Sequence, residues 1–258
     1  MTDKISAQGI ALVTGAAKRI GNAIAHGLAT AGWDVAIHFH RSVADAESLQ
    51  NEIVALGRRG ITLQADLAQA SEVEQLIERC TDRLGTPTCL VNNASVFNFD
   101  ELKSVTLNNW DAMQATNLRA PIMLARDFAR FLPAGAEGNI INLLDQKIAN
   151  LNPDFFSYTI AKVGLEAATH IMAMALAPRI RVNAIAPGLT LVSGDQTSEN
   201  FAQAHRMTPL GGAGKLDDIV AAVLFLLQTN SVTGQTIFVD GGQRLMPLDR
   251  DVMYTVRE

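Results

Sequence analysis

Two residues near the middle of the 258-residue chain have the types and the spacing that proton transfer needs. Tyr158 and Lys162 are four positions apart, so on a helix they lie on the same face, one turn from each other. A tyrosine hydroxyl titrates near pH ~10, which is too high for efficient proton exchange at neutrality. A neighbouring ammonium group favours the phenolate and lowers that pKa. The pair therefore predicts a catalytic tyrosine that exchanges a proton with a bound substrate.

An acidic residue, Asp145, stands thirteen positions before the tyrosine. An ionised carboxylate only accepts hydrogen bonds, so it would not stabilise negative charge on a carbonyl oxygen. Asp145 suits a substrate that presents N–H donors or a protonated ring nitrogen. The alternative is that Asp145 caps the loop that follows it.

The segments that must position these residues alternate between short apolar runs and longer runs with a helical period. Apolar strands joined by crossover helices are typical of a parallel sheet that is covered on both faces. We therefore predict an α/β fold, a single Rossmann-type doubly wound domain over residues 1–258. Its seven strands are predicted at residues 9–15, 33–39, 60–67, 87–95, 138–144, 180–188 and 235–242, and its helices at 19–32, 43–57, 71–85, 109–132, 155–178 and 216–228.

Ligands of such sheets bind beyond the carboxyl ends of the strands. Residues 190–214, which follow the sixth strand and are rich in Gly, Ser and Thr, are predicted to form a substrate lid. The apolar run "IMAMALA" in the helix of Tyr158 exceeds what one face needs to cover the sheet, which favours a helix–helix partner. The C-terminal tail, residues 243–258, is predicted to reach a neighbouring subunit. We therefore expect a homo-oligomer.

The loop after the first strand has features of a phosphate-binding turn. Gly15 allows a tight turn, and Gly21 lets the helix approach the sheet closely, so that backbone N–H groups and the helix N-terminus face a pyrophosphate. Arg19 stands where the usual fingerprint has its middle glycine. A simple strand–helix turn is the alternative.

The end of the second strand indicates which dinucleotide is bound. It has no Asp or Glu for a ribose 2′-hydroxyl, but Arg41 follows it, with Arg19 expected nearby. A guanidinium group matches a phosphate, which predicts NADP rather than NAD; a solvated loop cation is the alternative for Arg41. The predicted cofactor-binding residues are Gly15, Arg19, Ile20, Gly21, His38, His40, Arg41, Ser42, Asp66, Leu67, Asn93, Ala94, Ser95, Tyr158, Lys162, Pro187 and Gly188.

The order of these motifs resembles the short-chain dehydrogenase/reductase family over essentially the whole chain. The matching motifs are TGxxxRxG, NNA, an Asn in the next helix, YxxxK, PG and a terminal DGG. The resemblance implies that Lys162 holds the nicotinamide ribose and that Asn117 orders a water linking Lys162 to solvent. It also implies tetramers formed by pairing of the helices that carry Tyr158.

One subgroup, the pteridine reductases, is similar in having Asp where the family usually has Ser, here Asp145. Further similarities are Arg19, the turn of Arg41 and Ser42, and Phe97, which would stack on a flat pterin. The resemblance implies hydride transfer from NADPH to a C=N bond of a dihydropterin, dihydromonapterin or dihydrofolate, with the proton from Tyr158. Two alternative functions are that of a carbonyl or 3-oxoacyl reductase and that of a protein that senses NADPH without catalysis. Phe97 is equally compatible with core or lid packing.

Composition excludes several other classes of protein. The net charge is −5 with no basic run, so neither nucleic acid nor an anionic membrane is expected as a partner. We find no signal-peptide pattern and no apolar run long enough to span a membrane. Cys80 and Cys89 have no metal or CxxC spacing, and the five histidines form no metal motif, so reduced structural thiols and no metal are predicted. We expect a cytoplasmic protein with a small-molecule substrate.

Overall fold

The computed structural model describes residues 8–192, 197–212 and 214–255. Its seven strands form one all-parallel sheet in the order β3-β2-β1-β4-β5-β6-β7, which confirms the predicted fold class. The strands are β1 (Ile10–Val13), β2 (Asp34–Phe39), β3 (Gly60–Gln64), β4 (Cys89–Asn92), β5 (Gly138–Leu143), β6 (Ile180–Pro187) and β7 (Thr236–Val239).

The helices lie on both sides of this sheet. They are α1 (Arg19–Thr30), α2 (Val43–Ala55), α3 (Ala70–Arg83), α4 (Leu107–Gln114), α5 (Ala120–Phe131), α6 (Phe156–Leu176), α7 (Ser198–Arg206), α8 (Leu216–Gln228) and α9 (Val252–Thr255).

Successive strand residues point to opposite faces, which builds one core on each side of the sheet. Val13 packs with α1, α2 and α8, whereas its neighbour Leu12 packs with α3, α5 and the end of α6. Both side chains are fully buried. The continuous apolar runs of inner strands such as β2 and β4 are therefore buried on both faces, as in parallel sheets, whereas the edge strands β3 and β7 are partly buried.

The long helix predicted over residues 109–132 is present but interrupted. Between α4 and α5, residues Ala115–Arg119 form a π-helical segment, in which the Ala120 N–H donates to the carbonyl of Ala115. Pro121 lacks the N–H that would donate to the carbonyl of Asn117 in an α-helix. Such π segments are frequent at functional sites.

The predicted lid needs correction in part, and the C-terminal tail has contacts of its own. Within the predicted lid, residues 198–206 form the helix α7, although the sequence indicated irregular structure; residues 193–196 and 213 lie outside the described residues. The described part of the C-terminal tail, residues 243–255, contacts its own chain, and its contact with a neighbouring subunit stays a prediction; residues 256–258 lie outside the described part.

The remaining sequence predictions concern the surface and the thiols. Ile160, Ile171 and Met174 on α6 are exposed, which leaves the predicted helix–helix partner a prediction. Cys80 and Cys89 are free, buried thiols, and burial raises the pKa of each to about 12. No helix among the described residues is long and apolar enough to cross a membrane.

Candidate active site

Gly15 and Gly21 bring the first loop into close contact with the carboxyl end of the sheet. Gly15 has φ +61°, and a Cβ there would lie 2.9 Å from the Cα of Ala94. A Cβ on Gly21 would lie 2.3 Å from the Gly15 carbonyl oxygen, closer than real Cβ contacts. Any larger residue at Gly21 would therefore push the helix away from the loop. This close approach leaves the N-terminus of α1 facing the loop.

Thr14 and Asn93 hold this loop to the end of β4. The buried Thr14 Oγ1 accepts hydrogen bonds from the N–H groups of Asn93 and Ala94, at 2.9 and 3.0 Å. The Asn93 Nδ2 atom donates to the carbonyls of Thr14 and Gly15, at 2.8 and 3.1 Å. These bonds fix β1 and β4 at the point where the strand order reverses, the usual ligand position in open α/β sheets. Thr14 was not among the predicted site residues.

A cleft of about 370 Å³, named here the loop cleft, opens beside this turn. It adjoins a second cleft, and four residues line both: Arg19, Ile20, Asn93 and Ser95. Eleven of the predicted cofactor-binding residues line the loop cleft, namely Gly15, Arg19, Ile20, Gly21, His38, His40, Asp66, Leu67, Asn93, Ala94 and Ser95.

His38, one of the residues that line the loop cleft, supports the glycine loop through hydrogen bonds to the backbone. Its Nδ1 accepts from the Gly15 N–H at 3.0 Å, and its Nε2 lies 3.1 Å from the Ala65 carbonyl. Burial lowers the pKa of His38 to about 4, so the ring is neutral at pH 7. With both nitrogens used by the backbone, His38 positions the loop.

Arg41 and Ser42 line neither cleft but occupy the turn between β2 and α2. The Arg41 side chain is exposed, and its carbonyl accepts from the Val43 N–H at 3.0 Å. Arg19 has φ +57°, and its guanidinium group donates to the Val192 carbonyl at 2.8 Å. Arg19 therefore links the glycine loop to the start of the predicted lid.

A second cleft of about 420 Å³, named here the tyrosine cleft, contains the predicted catalytic residues Tyr158, Lys162 and Asp145. The Tyr158 hydroxyl donates to Asp145 Oδ2 at 2.9 Å. Asp145 follows β5, and its Oδ1 accepts from the Lys147 N–H at 2.9 Å, so it also caps the short turn Gln146–Ala149. Asp145 therefore caps the next turn and also contacts the tyrosine, while its predicted contact with a substrate stays a prediction. Phe97, Pro187 and Gly188 line the same cleft.

The expectation that Lys162 lowers the pKa of Tyr158 is wrong for this arrangement. Burial and the adjacent Asp145 carboxylate raise the pKa of Tyr158 well above 10, because both disfavour a second negative charge. Burial also raises the pKa of Asp145. Tyr158 is therefore fully protonated at neutral pH.

Lys162 lies behind the tyrosine rather than at its hydroxyl. Its Nζ donates to the Leu143 carbonyl at 2.7 Å and lies 5.6 Å from the centre of the Tyr158 ring. Burial lowers the pKa of Lys162 to about 8. Near neutrality Lys162 therefore carries a proton that it releases at slightly alkaline pH.

Asn117 lies in the π-helical segment, fully buried, and lines neither cleft. Its Oδ1 accepts from the Val96 N–H at 2.9 Å, and its Nδ2 donates to the Val96 carbonyl at 2.8 Å. The side chain thus fixes the segment between Ser95 and Phe97. The predicted water on Asn117 stays a prediction.

Phe97 belongs to an aromatic cluster at the mouth of the tyrosine cleft. Its ring stacks on Phe155 with centroids 4.1 Å apart and meets the Tyr158 ring edge-on at 4.7 Å. Phe97 is nevertheless 37% exposed. It therefore combines packing with a partly open surface in the cleft, and its contact with a substrate stays a prediction.

The C-terminal segment forms one wall of the tyrosine cleft, which the sequence did not predict. Asp251, Val252 and Met253 line the cleft. The buried Lys147 Nζ donates to Asp251 Oδ2 at 2.9 Å, and Arg250 donates to both oxygens of Asp154. Removing one partner of a buried ion pair is strongly destabilising, so these contacts hold the segment in place. No motif in the sequence marks Lys147 or Asp251, because they are 104 positions apart.

The sheet, the glycine loop and the Tyr158–Lys162 pair together define a Rossmann-type oxidoreductase. The family model described as enoyl-(acyl carrier protein) reductase matches residues 15–244. The chain belongs to the short-chain dehydrogenase/reductase family.

Individual relatives point to two activities within the family. The chain is similar to the crystal structure of FolM alternative dihydrofolate reductase 1 from Brucella canis complexed with NADP, with 42% identity, a TM-score of 0.91 and coverage of 96% of this chain and 98% of that one. It is 33% identical to the 3-oxoacyl-[acyl-carrier-protein] reductase of Synechocystis sp., over 90% of this chain and 96% of the relative. An uncharacterised oxidoreductase of Methylorubrum extorquens is 35% identical, with 91% and 97% coverage.

Proposed function

We propose that this protein is an NADPH-dependent reductase of a C=N bond in a pterin-type substrate, a dihydropterin, dihydromonapterin or dihydrofolate. The observation that carries the proposal is the 2.9 Å hydrogen bond from Tyr158 to Asp145, which puts a carboxylate beside the proton donor. Similarity to the Brucella FolM dihydrofolate reductase, at 42% identity, supports the same substrate class.

The cofactor is NADP, as in the Brucella structures. The chain fits it, because Gly21 lets the N-terminus of α1 approach the glycine loop; a Cβ there would lie 2.3 Å from the Gly15 carbonyl oxygen. Thr14 and Asn93 keep this loop rigid through four hydrogen bonds. When bound, NADPH supplies the hydride.

Tyr158 provides the proton in this proposal. Its raised pKa keeps the hydroxyl protonated, as a proton donor for reduction requires. Reduction of a C=N bond leaves an amine nitrogen instead of an oxyanion, so no hydroxyl donor is needed at position 145. The acceptor oxygens of Asp145 suit the N–H groups of a pterin. Asn117, in the π-helical segment, would order the water that links Lys162 to solvent.

A 3-oxoacyl reductase is the second candidate. Its support is the similarity to the Synechocystis enzyme over 90% of this chain. Against it stands Asp145, since an ionised carboxylate repels charge developing on a ketone oxygen. NADPH oxidation by the wild-type protein with dihydrobiopterin, dihydromonapterin, dihydrofolate and a 3-oxoacyl thioester separates the two. Turnover of the thioester alone would reject the pterin proposal.

Replacing Arg41 with Ala is expected to weaken NADPH binding about 10- to 100-fold, because a charge-assisted contact with the 2′-phosphate is lost. NADH binding should change less than about twofold, since NADH has no such phosphate. Titration of cofactor binding to the two proteins measures both values. Arg130→Ala, on the exposed side of α5, is the matched control and should affect neither. Equal losses for NADPH and NADH would place the phosphate site elsewhere.

The activity is expected to decline as pH rises through about 8, the pKa of Lys162. Below that pH the ammonium group is charged and offsets the negative charge that Tyr158 acquires on giving up its proton; above it the charge is lost. Tyr158 itself keeps its proton throughout, because its pKa is raised above 10. The measurement is kcat/KM from about pH 6 to about pH 10, with the unfolding midpoint followed in parallel. A rate that stays constant across this range would contradict a role for the Lys162 charge.

A further inference from the structure

Gln146 is a buried amide in the wall of the tyrosine cleft, immediately after Asp145. It is 8% exposed, and it begins the turn Gln146–Ala149 that follows β5. Its Oε1 atom is buried and has no hydrogen-bond partner within the described part of the chain. Buried polar atoms of native proteins are nearly always paired, so this unpaired amide oxygen in a residue of the cleft wall indicates a partner from outside the chain.

The other polar side chains of the same wall already have partners. Gln243, a second glutamine in the tyrosine cleft, accepts from the Leu189 N–H through its Oε1 at 3.0 Å. Each oxygen of Asp145 holds one hydrogen bond, to Lys147 N–H and to the Tyr158 hydroxyl. Each of these oxygens therefore has a partner within the chain, whereas the Gln146 oxygen has none among the described residues. Each Asp145 oxygen keeps a second lone pair for a ligand.

The position of Gln146 is fixed by the same contacts that fix Asp145. The Lys147 N–H donates to Asp145 Oδ1, and the Lys147 ammonium group is held by Asp251, so the backbone on the C-terminal side of Gln146 is anchored. The terminal torsion angle of a glutamine has a broad distribution with roughly two-fold symmetry. A rotation of about 180° exchanges the positions of the amide oxygen and nitrogen. Either group can therefore face a ligand without movement of the backbone.

We propose that Gln146 is a specificity-determining residue that binds the ring amide of the substrate, its lactam N–H and C=O. This inference rests on the proposed pterin reductase function and names the edge of the substrate that is recognised. A carboxamide has one acceptor and two donors, so it matches a lactam with two parallel hydrogen bonds. Asp145, which only accepts while ionised, does not recognise the lactam oxygen. An acyl-chain ketone has no N–H for the Gln146 oxygen, so the residue also disfavours such substrates.

Gln146→Met tests this inference, because methionine has a similar size and no amide. We expect the KM for the dihydropterin to rise on the order of tenfold, with kcat within about threefold of the wild-type value, since the contact is equal in ground and transition states. The KM for NADPH should stay within about twofold. Thermal stability should be unchanged or higher, because the substitution removes an unpaired buried oxygen; a purely structural residue would lower it. Gln75→Met, on the exposed face of α3, is the matched control.

The second arm uses the wild-type protein and a dihydropterin methylated on the lactam nitrogen. The methyl group should raise KM about tenfold for the wild type and cause little further loss for Gln146→Met, because both changes remove the same contact. An unchanged KM for the variant, or independent effects of the two changes, would overturn the inference while leaving the pterin function intact. A wild-type protein that reduces no dihydropterin would overturn both.

Discussion

Replacing Tyr158 with Phe is expected to lower kcat about 10³-fold or more for the dihydropterin that the wild type reduces, because the variant lacks the proton donor. The affinity for NADPH should stay within about twofold, since the ring and its packing against Phe97 are preserved. The hydroxyl is one oxygen atom, bonded to Asp145 at 2.9 Å, and its removal leaves the rest of the cleft in place. Single-turnover kinetics with saturating NADPH measures the chemical step directly.

The chain offers a matched control for this variant. Tyr254 is the only other tyrosine in the sequence, and it lies in the same aromatic cluster, 5.5 Å from Phe99 between ring centroids. Tyr254→Phe should retain activity within about twofold of the wild type, because Tyr254 is not among the residues that line the tyrosine cleft. Substantial turnover by Tyr158→Phe would show that another group supplies the proton.

Replacing Asp145 with Ser is expected to lower kcat/KM for the dihydropterin about 10²-fold, because a charged acceptor for the ring N–H groups is lost. The same change should raise activity toward a 3-oxoacyl thioester or simple ketone by about tenfold or more, since a hydroxyl stabilises the developing oxyanion where the carboxylate repels it. Loss of the carboxylate should also bring the pKa of Tyr158 down, because Asp145 contributes to its elevation. Measuring kcat/KM with both substrate classes, for the wild type and for the variant, gives the change in substrate preference.

Asp82→Ser, an exposed substitution on α3, is the control for loss of one negative charge. It should alter neither activity, because a solvated surface charge far from the cleft is screened. If Asp145→Ser keeps full pterin activity and gains none with ketones, the carboxylate does not select the substrate.

The strands were predictable because each is a short apolar run; β2 is buried at every position, whereas the edge strands β3 and β7 are only partly buried. The ends of the helices were less predictable. The predicted first helix runs to Gly32, but Gly32 has φ +100° and lies beyond the Ala31 cap, so α1 ends at Thr30. The π-helical segment 115–119 has an ordinary helical sequence, and its register depends on contacts with α6 and on Pro121.

Some features of the candidate site were likewise predictable from the sequence, and others were not. Tyr158, Lys162 and Asp145 were predicted to lie together because neighbouring strand and helix ends meet at one edge of the sheet. The balance of charge at the tyrosine was not predictable, because it depends on a 2.9 Å contact with Asp145 and on burial, neither of which residue spacing reveals. Likewise, the wall formed by Asp251 and Lys147 arises from a contact across 104 positions.

A crystal structure of the protein with NADP and a dihydropterin would show directly whether Asp145 selects a pterin. We expect the pterin ring in the tyrosine cleft, with ring N–H groups donating to Asp145 and with the Tyr158 hydroxyl facing the reduced C=N bond. A pterin bound elsewhere, or an Asp145 carboxylate turned away from the ring, would contradict it.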